Sequence, residues 1–442
     1  MRQLSRTRNV FSYLLITTSL LLPVLTGAQA TGKSKQDLAS LQQAFVDLRF
    51  GMFIHFNIPT FMDQDWADPD ASPILFNPAK LNCDQWAKAA KSANMSYGCL
   101  TTKHHSGFAI WDTKTTDYNV MNSPYKKDVV KEYVNAFRAN GLKVMLYYSI
   151  LDTHHKLRPG HITPQHIAMV KAQLTELLTN YGEISALVID GWDAPWSRIS
   201  YDDIPFEEVY LLVKSIQPNC LVMDLNAAKY PAEALYYTDI KSYEQGAGQH
   251  ISKESNQLPA LSCLPINDAW FWKTSFPTRP VKDVNSLVND NIIPFNNAYC
   301  NFILNVAPNR DGLIDDNALA ALKQIGQTWK HQGSTTKLPA ADAPIISTNL
   351  AKFKRPMLVG VMICGSWTLL PMMILVNPGF PIPLLRIPGS KFCSKAKGHL
   401  IWWLLQNRGN PTFKNTGWSI TRMVNGNSYL PEKNRSHKST SV

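Results

Sequence analysis

The sequence predicts an α/β fold: a (β/α)8-like TIM barrel from about residue 40 to residue 333, followed by an irregular C-terminal tail. Three observations lead there. Short β-rich apolar runs alternate with helical patterns through the middle of the chain, strand first in each unit, as repeated βα units around a parallel sheet require. Polar residues close several of these runs, at the strand ends where a parallel barrel gathers its chemistry. A chain of 442 residues also suits a barrel of about 250 residues with one smaller appendage.

Eight strands are expected, at residues 49–56, 97–105, 143–150, 186–191, 221–225, 235–243, 258–263 and 301–306. Helices fall between them. Residues 84–94 carry Trp86, Ala89, Ala90 and Ala93 at helical spacing behind a capping Asp84, and residues 128–140 carry Val130, Val134 and Phe137 and stop at Gly141. Residues 163–181, with Pro164 in the opening turn, and residues 206–216, 281–289 and 317–329 read the same way.

The N-terminus has the grammar of an export signal. Arg2, Arg6 and Arg8 precede an apolar run at 13–25 and a small-x-small site, Ala28-Gln29-Ala30, so residues 1–30 are expected to be removed and the mature protein to be periplasmic or extracellular. No cysteine follows that site, which argues against a lipid anchor. Residues 31–333 then form the barrel and 334–353 an Ala, Pro and Ser linker. Residues 354–442 show no period that would specify a β-sandwich or any other domain. The apolar stretch 357–376 has the length of a membrane span, but Gly360, Gly365 and Pro371 interrupt it.

The net charge of +11 suggests a nucleic-acid partner until it is divided along the chain. Residues 354–442 hold 12 Lys or Arg and a single acid, Glu432, whereas residues 31–353 hold 29 basic and 32 acidic residues. The barrel is therefore near neutral, and no nucleic-acid binding is expected of it. The abrupt loss of acids near Phe353 is what a shifted reading frame would produce. Seven scattered cysteines without a CxxC pair read as buried thiols rather than a disulfide scaffold or a zinc site, and nothing calls for a metal or cofactor.

Candidate chemistry lies at the strand ends: His55 after FGMFI, His104 and His105 after GCLTTK, Tyr147 and Tyr148 with Asp152 after KVML, Asp190 after ALVI, and Asp224 after LVM. Asp190, followed by Gly191 and Trp192, would sit at the barrel mouth as a nucleophile, with Asp193 and Asp224 as rivals. Cleaving a glycosidic bond needs a second, protonated carboxyl, for which Glu244 is the candidate and Glu254 the alternative. The three histidines with Trp66, Trp111 and Tyr148 suit hydroxyl binding and ring stacking. On a regular strand His104 and His105 would point to opposite faces, so both could ligate one metal ion only through a local bend.

The segments RFGMFIHF, QDWADP, FNPAKLNCDQWAKAAKSANM and LTTKHHSGFAIWDTKTTDYNV, in that order, resemble the first two barrel units of glycoside hydrolase family 29, the retaining α-L-fucosidases. YGEISALVIDGW resembles that family's nucleophile strand, and NFILNVAPNRDGLIDDNALAALKQIGQTW the end of its barrel; the resemblance covers about 41–333. It implies that Asp190 attacks the anomeric carbon, that His55, His104 and His105 hold fucose hydroxyls, and that Glu244 is the acid/base. It also implies that fucosylated oligosaccharides or glycoproteins are the partners. Trp192, Trp270 and Trp272 are candidates for the pocket of the fucose methyl group. Many relatives carry Trp-Phe before the nucleophile where this chain has Val188-Ile189, Gly where it has Asn57, and a sugar-binding arginine without counterpart between Asp224 and Glu244. Relatives often carry a β-sandwich after the barrel as well. Competing expectations are a catalytically silent fucose-binding lectin and a glycosidase of the same fold acting on galactosides.

Overall fold

The computed structural model describes residues 35–226, 238–244, 251–334 and 336–339, and the backbone of two short strands further on. The expected export signal, most of the linker and most of the tail lie outside the described residues. Eight parallel strands form one sheet: β1 (Phe50–Ile54), β2 (Tyr97–Lys103), β3 (Lys143–Ser149), β4 (Ala186–Asp190), β5 (Leu221–Asp224), β6 (Lys241–Glu244), β7 (Ala260–Pro265) and β8 (Cys300–Asn305). Their order, β5-β4-β3-β2-β1-β8-β7-β6, curls them into a nearly closed barrel, the predicted TIM-barrel class. The sixth strand is shorter and later than the 235–243 expected for it.

Helices cover the outside: α1 (Leu38–Val46), α2 (Ile58–Met62), α3 (Cys83–Ser92), α4 (Val129–Ala139), α5 (Pro164–Thr179) and α6 (Phe206–Ile216). The single helix expected at 281–289 is instead α7 (Val284–Ser286), a π turn (Leu287–Ile292) and α8 (Ile293–Asn297); Pro294, which has no N–H to donate, follows the π turn. Last comes α9 (Asp316–Thr328). The cap of α3 is Asn82, whose side chain accepts from the Gln85 N–H at 3.0 Å, rather than Asp84, which lies in the first turn and pairs with Lys88. In the tail, β9 (Val361–Ile363) and β10 (Ser366–Thr368) pair antiparallel.

Strand alternation divides the core in two. Phe53, Tyr97, Cys99, Met145, Tyr147, Ala186, Val188, Met223 and Ile303 pack inside the barrel, closed below by Phe45 and Val46 of α1. Their sequence neighbours Met52, Ile54, Leu100, Leu146, Tyr148, Leu187 and Ile189 face the helices. Gly51 belongs to this packing: a Cβ there would stand 2.3 Å from the Tyr97 ring, which lies across the barrel floor.

No ladder joins β5 to β6. The residues before β6 close this seam: the Asp239 N–H donates to the Val222 carbonyl at 2.7 Å, and the Asp239 carboxylate accepts from the Val222 N–H at 2.8 Å. Lys214 of α6 pairs with the same carboxylate at 2.8 Å, and the Tyr210 hydroxyl donates to it at 3.0 Å. The five described cysteines, Cys83, Cys99, Cys220, Cys263 and Cys300, are all buried free thiols.

Candidate active site

The inward series on each strand continues to its C-terminal end, and there the side chains turn polar. Gly51 and Phe53 lead to His55, Met145 leads to Tyr147, Ala186 and Val188 lead to Asp190, and Glu244 ends β6 beside Cys263. These side chains, with His104, His105 and Trp270, line a cavity of about 210 Å³. That is below the ~300–1,000 Å³ of ordinary small-molecule pockets and suits one small ring.

Asp190 is held from two sides. The Tyr147 hydroxyl donates to its Oδ2 at 2.6 Å and the Asn226 amide to its Oδ1 at 3.0 Å. Gly191, at φ 114°, turns the chain sharply away just behind it. Burial pushes the Asp190 carboxyl up to about 6, against the pull of those hydrogen bonds. Glu244 is pushed up to about 7, first by burial and then by the negative charge of Asp190, although the Trp270 indole hydrogen-bonds to it. Burial and the Asp190 charge thus favour the protonated form of Glu244 over that of Asp190.

Burial favours the neutral form of the three histidines that line the cavity. Burial lowers His55 to about 4 and holds His104 and His105 well below the usual imidazole range. Their tautomers follow from their partners. Asn305 spends its NH2 on the Trp270 carbonyl at 2.7 Å, so its oxygen accepts from His55 Nδ1 at 2.7 Å. Ser149 donates to the Leu151 carbonyl at 3.0 Å, so its oxygen accepts from His105 Nδ1 at 2.8 Å. Each ring therefore keeps Nε2 as an acceptor, and that of His105 stands 3.8 Å from Asp190 Oδ2. Among the described residues, buried His104 Nδ1 has no hydrogen-bond partner. Neutral acceptors beside a carboxylate suit the hydroxyl groups of a sugar.

His104 and His105 both line the cavity, through a local bend of the kind a regular strand lacks. The β2 ladder shifts register between Thr101 and Lys103, and the chain leaves the sheet in a turn closed by Gly107 N–H to His104 O at 3.0 Å, bringing the two rings within 3.9 Å. Four other expected contacts stand elsewhere. Tyr148 has the outward parity of its strand and donates to Gln173 of α5 at 2.7 Å; its neighbour Tyr147 faces the cavity instead. Trp111 is fully buried in the outer core with its N–H on Glu176, and Trp192 with its N–H on the Ile204 carbonyl. Of the tryptophans expected around a methyl group only Trp270 lines the cavity, since Trp272 turns its N–H to Asp315 at 2.7 Å.

The rival carboxylates also separate. Asp224 pairs in register with outward-facing Ile189 and meets the Tyr201 hydroxyl at 2.5 Å, Asp193 does not line the cavity, and exposed Glu254 bonds to Ser252. Asp65, Trp196, Leu225 and Asn226 were missed. Asp65 and Trp196 sit in loops whose approach to the cavity depends on tertiary docking; the Asp65 carboxylate accepts the Phe271 N–H at 3.1 Å. Asn57, where relatives carry Gly, caps α2 through the Ile58 N–H at 2.8 Å and donates to the Phe108 carbonyl. Among the described residues no cluster of three or more His, Cys, Asp or Glu could hold a metal ion, and no helix is long and apolar enough to cross a membrane.

Burial pushes the Asp224 carboxyl up to about 8. A carboxyl that is protonated in the fold but ionised in the unfolded chain supports stability fully below about pH 4, and that support is lost as pH rises to about 8. Asp224→Asn, which mimics the protonated form, is expected to raise Tm at pH 8 by several degrees and to change it little at pH 4. Thermal melts at the two pH values check the sign.

A pair of carboxyls of unlike acidity at the mouth of a parallel barrel is an arrangement able to cleave a glycosidic bond. The family model described as alpha-L-fucosidase matches residues 65–334. The chain is 30% identical over 301 residues to alpha-L-fucosidase 1 of Arabidopsis thaliana, covering 62% of this chain and 57% of that one. It is 22% identical over 325 residues to the human tissue alpha-L-fucosidase, covering 63% and 65%. Among solved structures, alpha-L-fucosidase isoenzyme 1 from Paenibacillus thiaminolyticus superposes with a TM-score of 0.55 at 28% identity, covering 66% of this chain and 76% of that one. A glycoside hydrolase 29 family member from a rumen bacterium gives a TM-score of 0.57 at 26% identity, covering 67% and 57%. The chain belongs to the α-L-fucosidase family, glycoside hydrolase family 29. It spans a little over half the length of the plant relative.

Proposed function

We propose that the protein is an exo-acting α-L-fucosidase that releases terminal fucose from glycans by a retaining double displacement. The observation that carries this reading is the carboxyl pair: Asp190, the stronger acid at about 6, and Glu244, at about 7, in one cavity sized for a single sugar. In the first step Asp190 Oδ attacks the anomeric carbon as the bond to the leaving oxygen breaks and Glu244 gives that oxygen its proton. A fucosyl ester on Asp190 results. In the second step the Glu244 carboxylate takes a proton from water, whose oxygen attacks the anomeric carbon and frees Asp190.

The neutral histidines take part by accepting hydrogen bonds from sugar hydroxyls at Nε2 of His55 and His105. Tyr147 and Asn226 donate to Asp190 and thereby favour its ionised form at neutral pH. A silent fucose lectin could use a carboxylate to accept sugar hydroxyls but has no use for a second carboxyl kept protonated beside it, which a donor to a leaving group requires. Turnover of 4-nitrophenyl α-L-fucoside, with a corresponding galactoside as the control, tests the proposal; binding of fucose without turnover, or preference for the galactoside, contradicts it.

A further inference from the structure

Two exposed tryptophans stand at the rim of the cavity. Trp66 is 46% and Trp196 39% exposed, while the other described lining residues are buried or half-buried. Their rings meet edge to face at 5.4 Å, and both lie against His105, at 4.5 and 4.3 Å. A lone exposed indole on a protein surface needs no explanation, but a pair held over the same buried histidine does.

Both are held on tied loops. Around Trp196, the Asp193 N–H donates to Ile199 O at 2.8 Å, the Arg198 N–H to Ala194 O at 2.8 Å, and the Ser197 hydroxyl to Gly191 O, while buried Trp192 anchors the loop through Ile204. Around Trp66, Asp65 accepts from Phe271 N–H and Asp63 from Thr274 N–H at 2.7 Å. Rigid indoles present contact area with little entropy left to lose on binding.

We infer that Trp66 and Trp196 form a stacking platform for the first ring of the leaving group, so that fucosides whose departing part begins with a pyranose or aryl ring are the favoured substrates. This deepens the proposed function and rests on it. The cavity has room for one small ring, so whatever is attached to the anomeric carbon must project through the mouth, where the two indoles are the exposed surface among the described residues. A pyranose turns an apolar C–H face to such a surface while its hydroxyls stay in water. Trp196, which lies in the loop after β4 and has no part in holding the carboxyls, is the specific residue assigned here.

The test compares two substrates on the full chain: α-L-fucosyl fluoride, whose leaving group has no ring, and a panel of fucosylated disaccharides. For Trp196→Ala the ratio of kcat/KM on the best disaccharide to kcat/KM on the fluoride is expected to fall about tenfold or more, chiefly through KM, whereas Trp196→Phe keeps most of that ratio. A melt confirms that each variant is folded. An unchanged ratio, or equal losses on both substrates, overturns the platform while leaving the fucosidase reading intact. Wild-type protein inert on the fluoride overturns the fucosidase reading and the platform with it.

Discussion

Asp190→Ala is expected to lose at least about four orders of magnitude in kcat on aryl α-L-fucosides, the scale seen when a nucleophile is removed from a preorganised site. The side chain ends the inward series of β4, receives two hydrogen bonds, and is the stronger acid of the pair. The variant should also melt no lower than the parent near neutral pH, because burial disfavours the Asp190 charge. Added azide fits the vacated space, attacks the anomeric carbon from the nucleophile's side and should restore turnover, giving a fucosyl azide of inverted configuration. Kinetics with and without azide, and NMR of the product, read all of this; activity within tenfold of wild type would exclude Asp190 as the nucleophile.

Glu244→Gln should cost about 10²–10⁴ on sugar leaving groups, the usual worth of a general acid. On fucosyl fluoride, whose leaving group needs little protonation, the first step should stay fast and the second should stall for want of a base. A stoichiometric burst of fluoride followed by slow release is the expected trace. The pH profile gives an independent check. The reaction needs Asp190 ionised and Glu244 protonated, so wild-type kcat/KM should fall as pH drops through about 6 and again as it rises through about 7. In Glu244→Gln the alkaline limb should disappear and the acid limb remain. Survival of the alkaline limb would assign that proton to another group.

The barrel was legible because its strands are short apolar runs separated by well-capped helices, a pattern that local sequence carries. Asp128 and Thr163 cap the helices they were expected to open, and Gly141 stands at φ 72° directly after α4. The lining of the cavity was legible where it follows from strand ends, at His55, Asp190 and Glu244. It was not legible where one residue of register decides the face. Tyr147 and Tyr148 are adjacent and chemically identical, and only the packing of β3 between β2 and β4 separates the one that holds Asp190 from the one that holds Gln173. Trp192 and Trp196 repeat the lesson in a loop, where a four-residue spacing gives one buried anchor and one rim indole. That His104 and His105 share one cavity depends on a register shift near the end of β2, which cannot be read from residue types. The β5–β6 seam was missed for a similar reason, since a carboxylate side chain, Asp239, substitutes there for a backbone ladder.

The covalent route through Asp190 is tested most directly by the configuration of the first fucose released, followed by NMR before the anomers equilibrate. Release of the α-anomer is the predicted result, because two displacements at one carbon restore its configuration. Initial release of the β-anomer would contradict it, since that outcome requires water to attack in a single step from the face that Asp190 is proposed to occupy.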